Sequence, residues 1–184
     1  MLVLAFGCAS PHHAAERSSG PESKANPTDV GSIDDIIRVD YGCVSGPAGL
    51  TSKVRQKKRD DTLYMPGARF VSVNEENGKT KTDLLTEDTY WAGFGTKTNH
   101  NVVEAAYETE AGRRTERYGN LADVRSVSEV RDTPTGPVTE RYVNFYHLYW
   151  DGTRWWIAGI IWQRESVNAP IPASWIGKWE EVAR

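Results

Sequence analysis

The hydrophobic pattern changes its period along this chain. Between residues 33 and 44, Ile33, Ile36, Ile37, Tyr41 and Val44 recur at the three-and-four spacing of a single helix face. Ser32 stands where an N-cap belongs, Asp34 and Asp35 fall in the first turn, where the helix dipole favours acids, and Gly46-Pro47 ends the run. A second helix is expected from Lys53 to Leu63, capped by Thr51 or Ser52, with Pro66-Gly67 closing it. Ala68 to Val73 then alternates as a strand. Asn77-Gly78 is a strong hairpin signal, and Lys79 to Leu85 is the returning strand. Thr86, followed by Glu87 and Asp88, opens a third short helix that carries Tyr90, Trp91 and Phe94.

From Val102 the pattern is that of strands. Val102 to Arg117 (with a bulge expected at Gly112), Leu121 to Arg131, Val138 to Trp150 and Arg154 to Arg164 form a four-strand meander, joined by turns at Tyr118-Gly119-Asn120, residues 133–137 and Asp151-Gly152. Helices first and an antiparallel meander afterwards define an α+β fold. In the last two strands neither face is polar. Arg141, Val143, Phe145, His147 and Tyr149 alternate with Tyr142, Asn144, Tyr146 and Leu148, and Trp155, Ile157 and Ile161 oppose Trp156, Ile160 and Trp162. A sheet with two apolar faces is covered on both. The helices account for one face, and a second copy of the chain is the economical cover for the other, which implies a homodimer through the sheet face.

Size and charge narrow the classes. The 184 residues fit one domain plus a tail, large enough for a self-sufficient core. A net charge of −3 gives no broad basic footprint for nucleic acid. The basic run from Lys53 to Arg59 is followed by Asp60 and Asp61 and reads as a solvated helix face. Cys8 and Cys43 form no disulfide framework, and Cys43 reads as a small buried side chain. Residues 1–8 run apolar into Gly7-Cys8 and resemble the remnant of a bacterial lipoprotein signal with Cys8 as lipidation candidate. Phe6 is bulky for that motif and no basic region precedes it. Residues 9–30, including His12-His13, lack any hydrophobic period and are expected to be a disordered linker, with the domain over 31–178 and a C-terminal tail over 179–184. The expectation is an exported, periplasmic or membrane-anchored protein, tethered to membrane through Cys8 only; a cytoplasmic location is the alternative.

Several short motifs resemble uncharacterised bacterial members of the nuclear-transport-factor-2-like (SnoaL-like) superfamily. They are residues 45–49 (Ser-Gly-Pro-Ala-Gly), 65–70 (Met-Pro-Gly-Ala-Arg-Phe), 116–120 (Glu-Arg-Tyr-Gly-Asn), 151–157 (Asp-Gly-Thr-Arg-Trp-Trp-Ile), 162–166 (Trp-Gln-Arg-Glu-Ser) and 168–172 (Asn-Ala-Pro-Ile-Pro), together spanning about residues 31–176. The resemblance implies a cone-shaped curved antiparallel sheet (a cystatin-like roll) with about three N-terminal helices packed on its concave face, usually dimeric. The superfamily includes ketosteroid isomerases, polyketide cyclases, dehydratases and non-enzymatic binding domains, so fold alone does not settle function.

Enzymatic members move protons inside an apolar cone, where a carboxylate or His acts as base and a Tyr or a protonated acid as donor. Candidates for lining such a pocket are Asp40 and Tyr41 on the first helix, Tyr90 and Trp91 on the third, and Glu108, Arg141, Asn144, His147, Trp162 and Gln163 from the sheet. Each also has a purely structural reading: Asp40 as a surface acid, Tyr41 as a core residue, His147 as a satisfied strand histidine, the Trp residues as core or interface. No catalytic motif of the isomerases or cyclases carries over. Residues 77–80 (Asn-Gly-Lys-Thr) lack the first glycine of a phosphate loop, Ser45 is one place late for a nucleophile elbow, and His100 and His147 lack zinc-ligand spacing. No cofactor or metal is expected. The leading expectation is an exported binding domain that takes a small apolar ligand in the cone or serves as a dimeric module. The alternative is an enzyme performing acid–base isomerisation, cyclisation or dehydration, and a third reading is a dimerisation module with a filled cone.

Overall fold

The computed structural model describes residues 25–49, 56–94 and 105–183. Cys8, His12-His13, His100, the expected caps Thr51 and Ser52 and the expected strand start at Val102 lie outside the described residues.

Among the described residues, four helices and seven strands follow in the order α1 (Pro27–Val30), α2 (Ile33–Val44), α3 (Lys57–Asp60), β1 (Tyr64–Glu76), β2 (Lys79–Leu85), α4 (Glu87–Phe94), β3 (Tyr107–Tyr118), β4 (Leu121–Arg131), β5 (Val138–Trp150), β6 (Trp155–Arg164) and β7 (Trp179–Ala183). One sheet contains all seven strands in the order β2-β1-β6-β5-β4-β3-β7. The meander β3 to β6 is antiparallel as expected, whereas β1 joins β6 and β7 joins β3 in parallel. Those two pairings bring together distant stretches of chain, and no local signal announces them.

Helix α2 is built as its spacing requires. The Ser32 hydroxyl accepts from the Asp35 amide at 3.0 Å, and Ile36, Ile37, Val39, Asp40, Tyr41 and Cys43 are buried. That face packs on the concave side of the sheet, against Val124, Tyr146, Leu148, Ile157, Ile160 and Phe70. The β1–β2 turn places Asn77 and Gly78 at φ 53° and 71°, the left-handed pair that a two-residue hairpin demands.

Four expectations change. Pro66-Gly67 does not end an element but lies inside β1, where pairing with β6 shifts register between Tyr64 and Arg69. The irregularity accommodates a proline without an amide and Gly67 at φ 82°. Residues 27–30, expected at the end of the linker, form α1, whose Asp29 and Val30 are buried. The tail expected from residue 179 is the edge strand β7. In β6 a bulge at Ala158 lies between the pairs Leu148–Ile157 and His147–Gly159. Trp155 and Ile157 before it, and Ile160 and Trp162 after it, therefore all join the concave-side core, while Ile161 turns outward.

The convex face is partly covered by the chain itself. After β6 the segment 165–178 crosses that side, with a 3-10 turn at Ala173–Trp175. The Gly177 amide donates to the Ala111 carbonyl at 2.7 Å, and Arg125 stacks 3.7 Å over the Trp175 ring. Gly112 is where this strap comes closest. A Cβ there would stand 2.0 Å from the Trp175 carbonyl oxygen, so only glycine fits. The expected bulge falls one residue earlier, between Glu110 and Gly112, and returns Arg113 to the concave side beside Asp34 of α2.

Candidate functional site

The concave side collects two polar clusters inside an apolar frame. The deeper one is built by α2, α3 and three aromatic residues. Asp40 accepts from the Tyr64 hydroxyl at 2.6 Å and the Tyr146 hydroxyl at 2.7 Å, and Asp60 accepts from the Trp91 indole N–H at 2.9 Å. Asp40 is 6% exposed and Asp60 1%. Burial drives both carboxyls above the usual carboxylate range, Asp60 farthest because the charge of Asp40 adds to it. Asp60 Oδ1 is buried and meets no donor among the described residues. The two phenols that donate to Asp40 oppose the rise there.

The second cluster is nearer solvent. Glu108 on β3 is half-buried and accepts from Ser128 Oγ at 2.6 Å. Its backbone is pinned by Ser45 at the end of α2, whose hydroxyl accepts from the Glu108 amide at 2.9 Å. Burial, with Asp40 and Glu140 adding to it, pushes the Glu108 carboxyl up to about 7, against the opposing pull of Ser128. From Ser128 the hydrogen bonds continue to Asn144 Nδ2 (3.2 Å), on to Tyr41 Oη (3.1 Å), Ser126 Oγ (2.7 Å) and Glu110 (2.5 Å). Glu110 is clamped by both arms of the buried Arg113, at 2.7 and 2.5 Å. Around these groups Phe70 stacks on Tyr90 at 5.2 Å and Trp162 meets Tyr90 edge-on at 5.7 Å.

Seven of the ten residues singled out in the sequence come together here: Asp40, Tyr41, Tyr90, Trp91, Glu108, Asn144 and Trp162. Asp40 is a buried acid, not a surface one. Arg141, His147 and Gln163 do not join them, because their positions in the strand alternation turn them to the convex side. Arg141 pairs with Glu129 and Glu165, His147 is exposed and bonds Asp123 at 2.6 Å, and Gln163 borders an outer cleft. Asp60, Tyr64, Ser126, Ser128 and Tyr146 escaped the sequence reading. Asp60 reads there as part of a solvated charge run, and nothing local separates it from Asp61. Tyr146 shares its strand face with Asn144, which was signal enough.

Two clefts lie away from these clusters. One of about 360 Å³ is on the convex side, between the strap and the sheet, lined by Val143, Phe145, Ile161, Ile171 and Trp175. The other, about 320 Å³, is at the start of α2, beside Asp34, Thr115, Arg117 and Trp155. Among the described residues there is no group of three or more His, Cys, Asp or Glu disposed to hold a metal ion.

A curved sheet in the order β2-β1-β6-β5-β4-β3, extended at one edge by β7, with α2 laid into its concave side over a polar cluster, makes an α+β fold. Similar folds are found in a protein of unknown function from Mycobacterium tuberculosis (16% identity, 76% of this chain and 78% of that one, TM-score 0.47). They also occur in a nuclear-transport-factor-2-like protein of unknown function from Methylobacillus flagellatus (12%, 73% and 95%, 0.43), and in a protein from Parabacteroides distasonis provisionally called a ketosteroid isomerase (10%, 80% and 98%, 0.44). No protein-family model and no curated protein matches the chain.

Proposed function

We propose that this domain binds a small, largely apolar molecule bearing an oxygen function on the concave side of the sheet, with Glu108 as the group that meets that oxygen. The observation that carries this is the Glu108 carboxyl itself. It is half-buried rather than sealed, faces Tyr90 and Tyr142, and has its protonation midpoint pushed up to about 7. Such a carboxyl both donates and accepts near neutrality, which solvated carboxylates do not. The Asp40–Asp60 pair lies deeper, enclosed by Tyr64, Tyr146 and Trp91, and supports the cone from below.

A second reading, proton-transfer catalysis of the isomerase, cyclase or dehydratase kind, is favoured by the same observation, because a general base works best with its midpoint near the operating pH. Binding is the step common to both readings. Titration with 2-naphthol, a flat apolar phenol whose fluorescence reports its environment, should show saturable binding at pH 8. Glu108→Gln should weaken that binding about tenfold, the loss of one charge-assisted hydrogen bond. Equal affinities in the two proteins would remove Glu108 from the site.

The convex face supports a homodimer as a further part of this proposal. The strap leaves Phe145 45% and Ile161 39% exposed beside the outer cleft, and a second copy is the natural cover. Size-exclusion chromatography with light scattering should give twice the chain mass at micromolar concentration. Monomer alone would rule the dimer out.

A further inference from the structure

The hydrogen-bond array behind Glu108 has only one allowed direction, and its far end sets it. Arg113, 8% exposed, holds Glu110 through two guanidinium arms and also reaches Asp34 on α2. A carboxylate held this way is an acceptor only. Ser126 must therefore give its single hydroxyl proton to Glu110. At the Tyr41–Ser126 contact, where either oxygen could donate by distance alone, Tyr41 is left as the donor. With its proton spent, Tyr41 Oη can only accept, and Asn144 Nδ2 supplies that hydrogen. The other Nδ2 hydrogen goes to Ser128 Oγ, and the Ser128 proton is thereby directed to Glu108 Oε1. Ser126 and Ser128 are fully buried and Tyr41 and Asn144 nearly so, so bulk water does not offer competing partners.

We propose that the Glu110–Arg113 ion pair is a positioning element for Glu108, fixing the direction of the Ser126–Tyr41–Asn144–Ser128 array so that Ser128 always donates to the Glu108 carboxylate. The role assigned to Glu108 rests on the reading above; the direction of the array does not. The strand geometry makes the arrangement possible. Glu108 and Glu110 share the concave side of β3, and the bulge between Glu110 and Gly112 brings Arg113 back to that side instead of turning it outward. The other ionisable groups facing Glu108 are Asp40 and Tyr41 from α2, Tyr90 from α4, and Glu140 and Tyr142 from β5. None of them is changed in charge by the tests that follow.

The test is a carbon-detected NMR titration of the Glu108 side-chain carboxyl in the full chain, without ligand. Tyr41→Phe keeps the ring and every charge but cuts the array in the middle. Asn144 is then free to turn its amide, and Ser128 gains an alternative acceptor in the Asn144 oxygen. The Glu108 midpoint should rise by about half a pH unit or more, the scale of one weakened hydrogen bond to the charged form. Ser126→Ala, a smaller change at the other end of the array, should move it in the same direction, and it serves as the second variant if Tyr41→Phe folds poorly. A merely structural role for these residues would lower stability and leave the Glu108 midpoint where it was. Unchanged midpoints in both variants, beside a clear rise in Ser128→Ala, would overturn the proposal. Since no ligand enters the titration, failure of 2-naphthol binding and failure of the array are separate outcomes.

Discussion

Asp40→Ala should cost about 3–5 kcal/mol of folding stability, measured by urea unfolding at pH 7, because it strips the acceptor from two buried phenols at once. Tyr64 and Tyr146 each lose the carboxylate oxygen they bond at 2.6 and 2.7 Å. A cavity is left among Tyr64, Tyr146 and Trp91 as well. Domains are typically stable by only about 5–15 kcal/mol, so the variant should sit close to unfolding. Asp40→Asn should be much milder. Its amide oxygen still accepts from one phenol, and its volume leaves no cavity. If the alanine and asparagine variants were equally stable, Asp40 would not be the acceptor that organises the cluster.

The second large effect is on pH dependence. Asp60 has its folded-state midpoint raised well above 3.8 by burial and by Asp40. A raised acid favours the fold while it stays protonated. Its contribution is complete below the unfolded value and is lost as pH rises through the folded one. Stability of the protein should therefore fall on the alkaline side, by up to about 1.4 kcal/mol per pH unit for one proton in that window. Asp60→Asn removes the proton from the balance and keeps an oxygen for Trp91. Glu108 and Glu87, pushed up to about 7 and about 8, still titrate in the variant and keep their share of the slope. The variant should show a shallower decline and exceed the wild type in stability at pH 9. Parallel stability curves from pH 5 to pH 9 would mean that Asp60 carries no proton in the fold.

Much of the candidate site was legible as residue types and little of it as contacts. Asp40 and Tyr41 stood out by chemistry and fell on the helix face that packs inward. Glu108 and Asn144 alternate onto the concave side. Arg141 and His147 carried equally suggestive chemistry, and strand parity sent them out. Asp60 was hidden because a charged run at the end of a helix looks the same in sequence whether its last acid is solvated or sealed. Its burial depends on Trp91, 31 residues later, closing over it at 2.9 Å. The two apolar faces of β5 and β6 were visible, but their cover was divided between concave helices and a C-terminal strap that gives no strong pattern of its own.

The sequence by itself determined the local elements and their class. Periods of three-and-four and of two, the Ser32 cap and the Asn77-Gly78 turn each act within a few residues, so α2, β2, β4 and β5 were set before any tertiary contact was known. Only the tertiary structure decided what depends on distant pairing. It laid β1 beside β6 and β7 beside β3, and the bulges at Ala111 and Ala158 re-aimed the side chains that follow them. It also sealed Asp40 and Asp60 in a site dry enough to raise both carboxyls above their usual range. Charge state and burial are properties of the packed interior, and no window of sequence contains them.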